Sequence, residues 1–536
     1  MKPHHFLFFA CLLMVSHHSR GQELFVNPIG EGADPWVIRD PRPGQSQYLW
    51  CFSEGNRGIA LHATKDLTRY GEKKVVWKAP ESGPYSREIW APELHFLQGR
   101  WHIYLAASDG QNKNHLTYVL KSATDDPFSR YTLHGPLATG KGEDGKSPNV
   151  WAIDMTPLEL NGKLYAVWSG WDEPLSDRQY TYLAEMESPI KLKTTRVLLC
   201  QNDDYLWERT EEKPGSRGLH EGPEVLKHRG KTFLTYSTGA SWLPTYKLGL
   251  LEYLGGDPLD PASWKKHREP VFQSHGDTFG VGHSCFVRSP DGQEWWHVYH
   301  AKKSREPGWQ RVVYLQAFHF NEAGIPQFGQ PVQAGSKASK PSGTINPARS
   351  SPYRHSLRDE GGGALADFTY YGHHLFYRQG KEGVRLGTTP KKPVNPYRSG
   401  EKLILNDGDY EELEVTVTLE FRQSGRDGGI LFRMTEPSVG YDAQKGYFAG
   451  LVPESQRVIL GRTDGSRWQE IARAPYPLEA GQSYQLSVQA LGEDFTVSIN
   501  GKPVLRAKDD SYRSGTVGLR VVDAEVLFTD LVIAPR

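Results

Sequence analysis

Apolar and polar positions along the chain alternate over short stretches with the two-residue period of β-strands, and helical periodicity of any length is absent. Up to about residue 330, five segments repeat one pattern: an apolar strand with a polar or ionisable residue, a glycine turn, and an aromatic-rich strand. Glycine turns of this kind join antiparallel strands. Five repeats of three or four short strands predict a five-bladed β-propeller, because a sandwich has no period this long. The turn glycines recur every 55 to 68 residues, at Gly44, Gly99, Gly162, Gly230 and Gly292.

A different pattern follows the repeats. Residues 334–363 are rich in Ser, Lys, Pro and Gly without periodic apolar positions, which is typical of a linker. Alternating strands return in residues 364–536, with Asn500-Gly501 as a tight turn, and their spacing predicts a β-sandwich of the jelly-roll or concanavalin-like type. The sequence therefore predicts an all-β chain, with a propeller at 22–333 followed by the linker and the sandwich.

The first 21 residues have the pattern of an export signal. Lys2 precedes an apolar run at 6–15, and small residues surround Arg20. We therefore expect cleavage before Gln22 and a periplasmic or extracellular mature protein. A lipid-anchored start at Cys11 is the less favoured alternative. No later stretch approaches the ~20 apolar residues of a transmembrane helix, so we expect no membrane as partner.

Composition narrows the class of partner. Basic and acidic residues number 63 each and the isoelectric point is about 7.3, so the charge balance gives no support to nucleic acid as a partner. No obligate protein partner is inferred. Beyond the signal, Cys51, Cys200 and Cys285 form no CxxC pair. This spacing excludes a zinc cage and predicts three buried thiols.

Ionisable residues recur on the first strand of the repeats. They are Asp34, Glu93, Asp154, Glu221 and His283, in repeat order. The first strand of a propeller blade lines the central axis, so these side chains are expected to converge. A single acidic residue beside Gly or Pro is most often a solvated loop residue. Recurrence at one place, among apolar neighbours, favours a functional site instead.

Three carboxylates that face one pocket suit the hydrolysis of a glycosidic bond. That reaction needs one carboxylic acid to protonate the leaving oxygen and one carboxylate to activate water. The negative charge of Asp154 would raise the pKa of Glu221 and keep it protonated as the acid. Asp34 would then be the base.

Five short motifs occur in this order along the repeats: Ala33-Asp34-Pro35, Trp90-Ala91-Pro92-Glu93, Ile153-Asp154, Glu221-Gly222-Pro223 and Gly282-His283. Together they resemble glycoside hydrolase family 43, the inverting five-bladed propeller enzymes, over roughly residues 24–333. The resemblance implies Asp34 as general base, Asp154 as the residue that tunes and orients the acid, and Glu221 as general acid.

The resemblance extends to further residues. Arg311, in the sequence at 311–316, resembles a last-blade arginine that reaches sugar hydroxyls; a salt bridge at a blade edge is the alternative. His283 resembles an axial histidine that contacts a structural Ca²⁺ directly or through water. A lone histidine is more often a core residue, and Ca²⁺ prefers oxygen ligands. No cofactor is required for the chemistry itself.

Aromatic residues flank the acids and could bind sugar. Three tryptophans could stack on sugar faces or pack between blades: Trp36, Trp90 and Trp151. We also expect Glu93 to contact the substrate. The sandwich, through residues such as Asn500-Gly501, resembles laminin-G or concanavalin-like modules. Such a module binds carbohydrate or only supports the propeller.

These observations predict an exported, exo-acting, inverting glycosidase that releases terminal α-L-arabinofuranose from plant cell-wall carbohydrate such as arabinan or arabinoxylan. Residues 88–95 and 221–237 most resemble family members described as α-L-arabinofuranosidases. A β-xylosidase or a galactan-directed exo-glycosidase is the alternative within enzymes. A propeller that binds sugar without catalysis is the alternative of another class, although none of the three carboxylates is lost. It also stays open whether the sandwich is the functional part of the chain and the propeller only a scaffold.

Overall fold

The computed structural model is all-β and confirms the predicted five-bladed propeller followed by a β-sandwich. It describes residues 24–140, 149–344, 352–358, 365, 367–388, 394–406, 408, 410–423 and 425–536. The predicted export signal at 1–21 lies outside these ranges and stays a prediction. Within them, no helix is long and apolar enough to cross a membrane.

The propeller consists of five antiparallel sheets, numbered here as blades 1 to 5 in chain order. Blade 1 contains Trp36–Arg39, Tyr48–Ser53, Gly58–Thr64 and Glu72–Lys78. Blade 2 contains Arg87–Leu97, Arg100–Ser108, Leu116–Ser122 and Tyr131–His134. Blade 3 contains Ala152–Leu160, Lys163–Trp171, Gln179–Ser188, Lys191–Leu192 and Val197–Cys200. Blade 4 contains His220–His228, Lys231–Thr238, Lys247–Tyr253 and Trp264–Lys266. Blade 5 contains Gly30–Glu31, Gly282–Arg288, Trp295–Lys302, Arg311–Phe320 and Pro326–Gln327.

Blade 5 is completed by a strand from the start of the propeller. Gly30–Glu31 pairs antiparallel with Arg311–Phe320, with Gly30 opposite Val313 and Glu31 opposite Val312. A second short ladder joins Leu24–Val26 to Lys337–Ser339. Both ends of the propeller sequence are therefore held together by backbone hydrogen bonds.

Aromatic side chains from the second strand of the blades form much of the packing between them. Trp50, Trp101 and Trp168 are fully buried and belong to the hydrophobic clusters of the propeller. Burial of such large rings is the main favourable contribution to docking of the blades. The three described cysteines are free and buried, as predicted from their spacing.

The C-terminal region is a sandwich of two antiparallel sheets around one large apolar core. One sheet contains Tyr353–His355, Tyr377–Gly380, Gly383–Gly387, Leu413–Gln423, Ser483–Leu491, Asp494–Ile499, Lys502–Lys508 and Glu525–Pro535. The other contains Phe368–Tyr371, Glu401–Leu405, Asp427–Thr435, Lys445–Val452, Arg457–Asp464, Trp468–Pro475 and Thr516–Val522. Five short 3₁₀ turns occur among the described residues: Asn112–Asn114, Leu206–Glu208, Pro261–Ser263, His374–Phe376 and Pro453–Ser455.

The described part of the predicted linker contains two short strands. Lys337–Ser339 pairs with Leu24–Val26 beside the propeller, and Tyr353–His355 pairs with Glu525–Pro535 in the sandwich. Strands of three residues are too short to show a period in the sequence. Residues 345–351 and 359–363 lie outside the described ranges.

Candidate active site

A cavity of about 950 Å³ opens at the end of the propeller axis where the innermost strands begin. It brings together seven of the nine predicted site residues: Asp34, Trp90, Trp151, Asp154, Glu221, His283 and Arg311. A cavity of this size is at the upper end of the range for small-molecule sites, roughly 300–1,000 Å³.

A repeated break in the innermost strands points side chains into this cavity. The ladder to the second strand is interrupted between Trp90 and Glu93, Ile153 and Thr156, Glu221 and Glu224, and Gly282 and Cys285. One residue inside each break has a positive φ: Ala91 (40°), Asp154 (52°), Gly222 (48°) and His283 (48°). Asp34 has the same conformation, with φ of 50°, just before blade 1. Such bulges bend a strand and re-aim its side chains, and left-handed backbone in residues other than glycine is often found at functional sites.

Glycine is required at position 222 for two reasons. Its φ of 48° is left-handed, and a Cβ there would lie 3.0 Å from the ring of His283. The backbone at Gly222 can therefore lie against the ring of His283 without a clash.

Asp34 is held by cationic and imidazole groups. The Nη1 of Arg311 donates to its Oδ1 at 2.7 Å, and the Nδ1 atoms of His283 and His300 lie 3.2 and 3.3 Å from the same oxygen. Burial raises the pKa of the Asp34 carboxyl, but Arg311 and the two histidines outweigh burial and hold the pKa well below its usual range. Asp34 is therefore a carboxylate at neutral pH, with Oδ2 lacking a protein hydrogen bond among the described residues.

The surroundings of Glu221 and Asp154 raise the pKa of both carboxyls. Burial raises the pKa of Glu221 against the hydrogen bond that its Oε2 accepts from the Tyr246 hydroxyl at 2.9 Å, and the charge of Asp34 raises it further. Burial, and then the charges of Glu221 and Asp34, also raise the pKa of Asp154 well above its usual value. Asp154 Oδ2 accepts a hydrogen bond from the Gly222 amide at 3.0 Å, one residue from Glu221. The cavity thus combines one ionised carboxylate with two carboxyls that resist ionisation.

Tyr246 and His300, which the sequence motifs did not reveal, connect Asp34 to Glu221. The ring of Tyr246 stacks on that of His300, with centroids 5.5 Å apart and planes at 6°. His300 Nδ1 accepts the Asp34 amide at 3.1 Å, while the Tyr246 hydroxyl donates to Glu221. His300 lies on the second strand of blade 5, and Tyr246 directly precedes the third strand of blade 4; no repeated ionisable pattern marked either residue.

Aromatic walls surround the carboxyls. Trp151 stacks on Trp171 at 5.0 Å, and Trp90 stacks on the His115 ring at 3.8 Å. At the rim, Trp309 is 64% exposed and contacts Trp242, with ring centroids 5.3 Å apart. Exposed tryptophan at a polar cavity is unusual and suits stacking on an amphipathic ligand. No repeated motif marks Trp242 or Trp309 in the sequence.

Trp36 and Glu93 do not line the cavity, in contrast to the sequence-based prediction. The Trp36 Nε1 donates to the Leu94 carbonyl at 2.8 Å, and its ring packs on His95 between blades 1 and 2. Glu93 is buried and accepts or shares a proton with His95 Nε2 at 3.0 Å. Both residues follow the bulge position, so their side chains enter the core of the propeller below the cavity.

Glu93 faces Glu224, a second buried carboxyl on the innermost strand of blade 4. Burial raises the pKa of both groups well above the usual value, and the charge of Glu224 raises that of Glu93 further. Because the folded protein binds these protons more tightly than the unfolded chain, the free energy of unfolding should decrease as pH rises above about 4.3 toward the folded pKa values. While a group titrates, the loss is about 1.4 kcal/mol for each pH unit.

We therefore expect the double variant Glu93→Gln/Glu224→Gln to lose less stability than the wild type between pH 5 and pH 8. Chemical denaturation at several pH values measures this difference, with the exposed Glu322→Gln as the matched control. Parallel stability curves for the double variant and the wild type would contradict the assignment of neutral carboxyls.

The predicted calcium contact stays a prediction. His283 belongs to no group of three close metal-capable side chains within the described ranges, so Ca²⁺ beside it would depend on water for most of its roughly 6–8 oxygen ligands. The described residues contain one such group, Cys200, Glu208 and His220. There the Lys266 ammonium already lies 2.7 Å from Glu208 Oε1, so a cation from the chain itself neutralises that carboxylate. No step below uses a metal.

Comparisons with known proteins place these features in context. The family model described as "Glycosyl hydrolases family 43" matches residues 25–326, and that described as "3-keto-alpha-glucoside-1,2-lyase-like domain" matches residues 378–534. The extracellular exo-α-(1→5)-L-arabinofuranosidase of Streptomyces avermitilis is 30% identical over 348 residues, which cover 62% of this chain and 67% of that protein. The enzyme of the same name from Streptomyces chartreusis is 29% identical over 299 residues, covering 54% and 87%. The crystal structure of an α-L-arabinofuranosidase from Lactobacillus brevis is 32% identical with a TM-score of 0.52, covering 57% of this chain and 97% of that one.

Proposed function

The chain belongs to glycosyl hydrolase family 43, and we propose that it releases terminal α-L-arabinofuranose from arabinan or arabinoxylan by inversion at the anomeric carbon. The observation that carries this proposal is that two carboxyls in one cavity have surroundings that move their pKa values in opposite directions. Arg311 and two histidines hold Asp34 ionised, whereas burial favours the protonated form of Glu221. An inverting glycosidase needs one such base and one such acid.

Asp34 acts as the general base in this proposal. Its Oδ1 accepts a hydrogen bond from Arg311 and lies 3.2 Å from His283 Nδ1, so Oδ2 is the oxygen left to accept a proton. A water bound to Oδ2 attacks the anomeric carbon while its proton passes to the carboxylate. The low pKa that Arg311 imposes keeps this base ionised over a wide pH range, at the expense of some basicity.

Glu221 acts as the general acid. Its proton passes to the glycosidic oxygen as the carbon–oxygen bond breaks, so that the leaving sugar departs as an alcohol. The Tyr246 hydroxyl orients the Glu221 carboxyl, and the Gly222 amide ties Asp154 to the same bulge. Asp154 lies where its ionisation would oppose that of Glu221, so the pair favours a state that retains a proton.

Attack at a chain end is part of this proposal. Trp36, Glu93 and Glu224 follow the bulges on the innermost strands, and all three are buried and outside the cavity lining. The terminal sugar would lie among Asp34, Asp154 and Glu221. The exposed Trp309 at the rim would then stack on the sugar that leaves.

The choice of arabinofuranose rests on similarity. The two Streptomyces relatives are named exo-α-(1→5)-L-arabinofuranosidases, and the word extracellular in those names supports the export predicted from residues 1–21. The cavity dimensions are compatible with an arabinose residue together with part of the leaving chain.

A substrate screen tests the proposal. The wild-type protein should hydrolyse 4-nitrophenyl α-L-arabinofuranoside and α-1,5-linked arabino-oligosaccharides faster than 4-nitrophenyl β-D-xyloside or β-D-galactoside. Proton NMR during the first turnovers should show β-L-arabinofuranose as the first-formed anomer. Asp34→Asn, prepared in the same way, controls for a contaminating enzyme, because it should be nearly inactive on both classes of substrate. Faster cleavage of the xyloside or galactoside, a first-formed α-anomer, or binding of arabino-oligosaccharides without hydrolysis would each overturn the proposal.

A further inference from the structure

The sandwich contacts the propeller at the strand that leads to Asp34. The backbone amide of Tyr370, on the sandwich strand Phe368–Tyr371, donates to Glu31 Oε1 at 2.7 Å. The Lys303 ammonium, from the propeller, donates both to that Glu31 oxygen and to the Tyr370 carbonyl. The backbone N–H and C=O of one sandwich residue, Tyr370, are therefore hydrogen-bonded to both members of an ion pair in the propeller.

The ammonium of this ion pair is buried, so loss of its partners would destabilise the protein. The Lys303 side chain is only 3% exposed, and its ammonium lies 5.8 and 5.7 Å from the ring centroids of Tyr370 and Tyr371. A buried ammonium that loses its partners is strongly unfavourable, whereas a pair on the surface contributes little. The contact thus specifies one arrangement of sandwich and propeller.

Both members of the pair are adjacent in sequence to the base side of the cavity. Glu31 lies on the closing strand Gly30–Glu31 and precedes Asp34 by three residues. Its partner in the ladder is Val312, and Arg311, which binds Asp34, begins that strand. The Tyr70 hydroxyl also donates to the Glu31 carbonyl, at 2.8 Å. No described sandwich residue lines the cavity, whereas Glu31 does, so the closing strand connects the sandwich contact to the cavity.

We propose that Glu31 and Lys303 are positioning residues through which the Tyr370 backbone of the sandwich sets the Asp34–Arg311 contact. The sandwich is then required for the correct protonation state of the base, as well as for support. The titratable groups that face Asp34 are Arg311, His283 and His300, with Glu221 and Asp154 also near it. Of these, Arg311 lies on the strand that pairs with Glu31.

The test uses the full chain with Lys303→Met, and with the double variant Glu31→Gln/Lys303→Met, which leaves no unpaired buried charge if the single variant folds poorly. Ser514→Ala is the matched control, because it removes another contact of the sandwich, the hydrogen bond from Lys337 at 2.7 Å, which involves neither the closing strand nor its partner strand. Lys303→Met and Glu31→Gln/Lys303→Met are called the clamp variants below. We expect both to lower kcat about tenfold while KM changes by no more than about twofold, since small displacements of catalytic groups have effects of this order or larger.

The pH profile distinguishes positioning from simple support. A looser Asp34–Arg311 contact raises the pKa of Asp34, so on acidification the clamp variants should lose kcat at a higher pH than the wild type, and Ser514→Ala should match the wild type. Unchanged acidic limbs in the two clamp variants, at temperatures where both are folded, would overturn the proposal.

The pH measurement depends on the proposed function, and amide hydrogen exchange does not. Residues 30–34 and 311–313 should exchange faster in the clamp variants than in the wild type and in Ser514→Ala. Exchange that is unchanged in these segments would overturn the positioning role even if the glycosidase activity is confirmed. Faster exchange in a protein that cleaves no glycoside would retain the coupling and reject the proposed function.

Discussion

Replacement of Asp34 by Asn is expected to lower kcat/KM by about 10²–10⁴-fold on arabino-oligosaccharides and aryl arabinofuranosides alike. Both substrates need an activated water, and an amide accepts no proton from it. The Arg311 guanidinium also loses its charged partner at 2.7 Å. Steady-state rates with the two classes of substrate measure the effect.

The matched control for this variant is Asp40→Asn. Asp40 is paired with Arg42 at 2.6 Å in the same blade but does not line the cavity, so its replacement should leave the rates near those of the wild type. The mechanism would be contradicted if a fluorinated arabinoside trapped a covalent glycosyl intermediate on Asp34, because the enzyme would then be retaining.

Glu221→Gln is expected to separate the two classes of substrate. Hydrolysis of arabino-oligosaccharides, whose leaving alcohol needs a proton, should slow by about 10²–10⁴-fold, whereas a 4-nitrophenyl leaving group, stable as the anion, should slow by about tenfold or less. The basic limb of the pH profile, which reports the loss of the acid's proton, should also disappear for the aryl substrate.

Glu224→Gln is the corresponding control. It makes the same change at a buried carboxyl three residues further along the strand, outside the cavity, and should leave the ratio of the two rates unchanged. Equal losses on both substrates in Glu221→Gln would remove Glu221 from the role of general acid.

The convergence of Asp34, Asp154 and Glu221 could be predicted because it depends on a repeated local pattern. Each lies at the start of an innermost strand, and propeller geometry brings these starts to one axis. The placement of Glu93 was wrong because the repeats were aligned on the acidic residue instead of on the bulge. In blade 2 the bulge residue is Ala91, and a shift of two positions moves Glu93 past the bulge to the level of Glu224.

Other parts of the site depend on contacts between distant segments. Tyr246, His300 and Trp309 lie on outer strands or loops, and only the arrangement of blades 4 and 5 brings them to the carboxyls. The contact between sandwich and propeller is even harder to predict from the sequence, because Tyr370 contributes backbone atoms, which every residue has. The sandwich fold itself could be predicted, since its strands alternate regularly and Asn500-Gly501 joins two of them with positive φ at both positions.

The closing strand also sets the order in which activity can arise during synthesis. Asp34 and Arg311 are 277 positions apart, and Gly30–Glu31 has no ladder partner until the strand Arg311–Phe320 exists. A nascent or truncated chain that ends before residue 311 therefore carries all three carboxyls but lacks the arginine that ionises the base. Contacts this distant in sequence form late, because the loop between them must close first. A chain that ends before the last blade should therefore be inactive although it carries all three carboxyls.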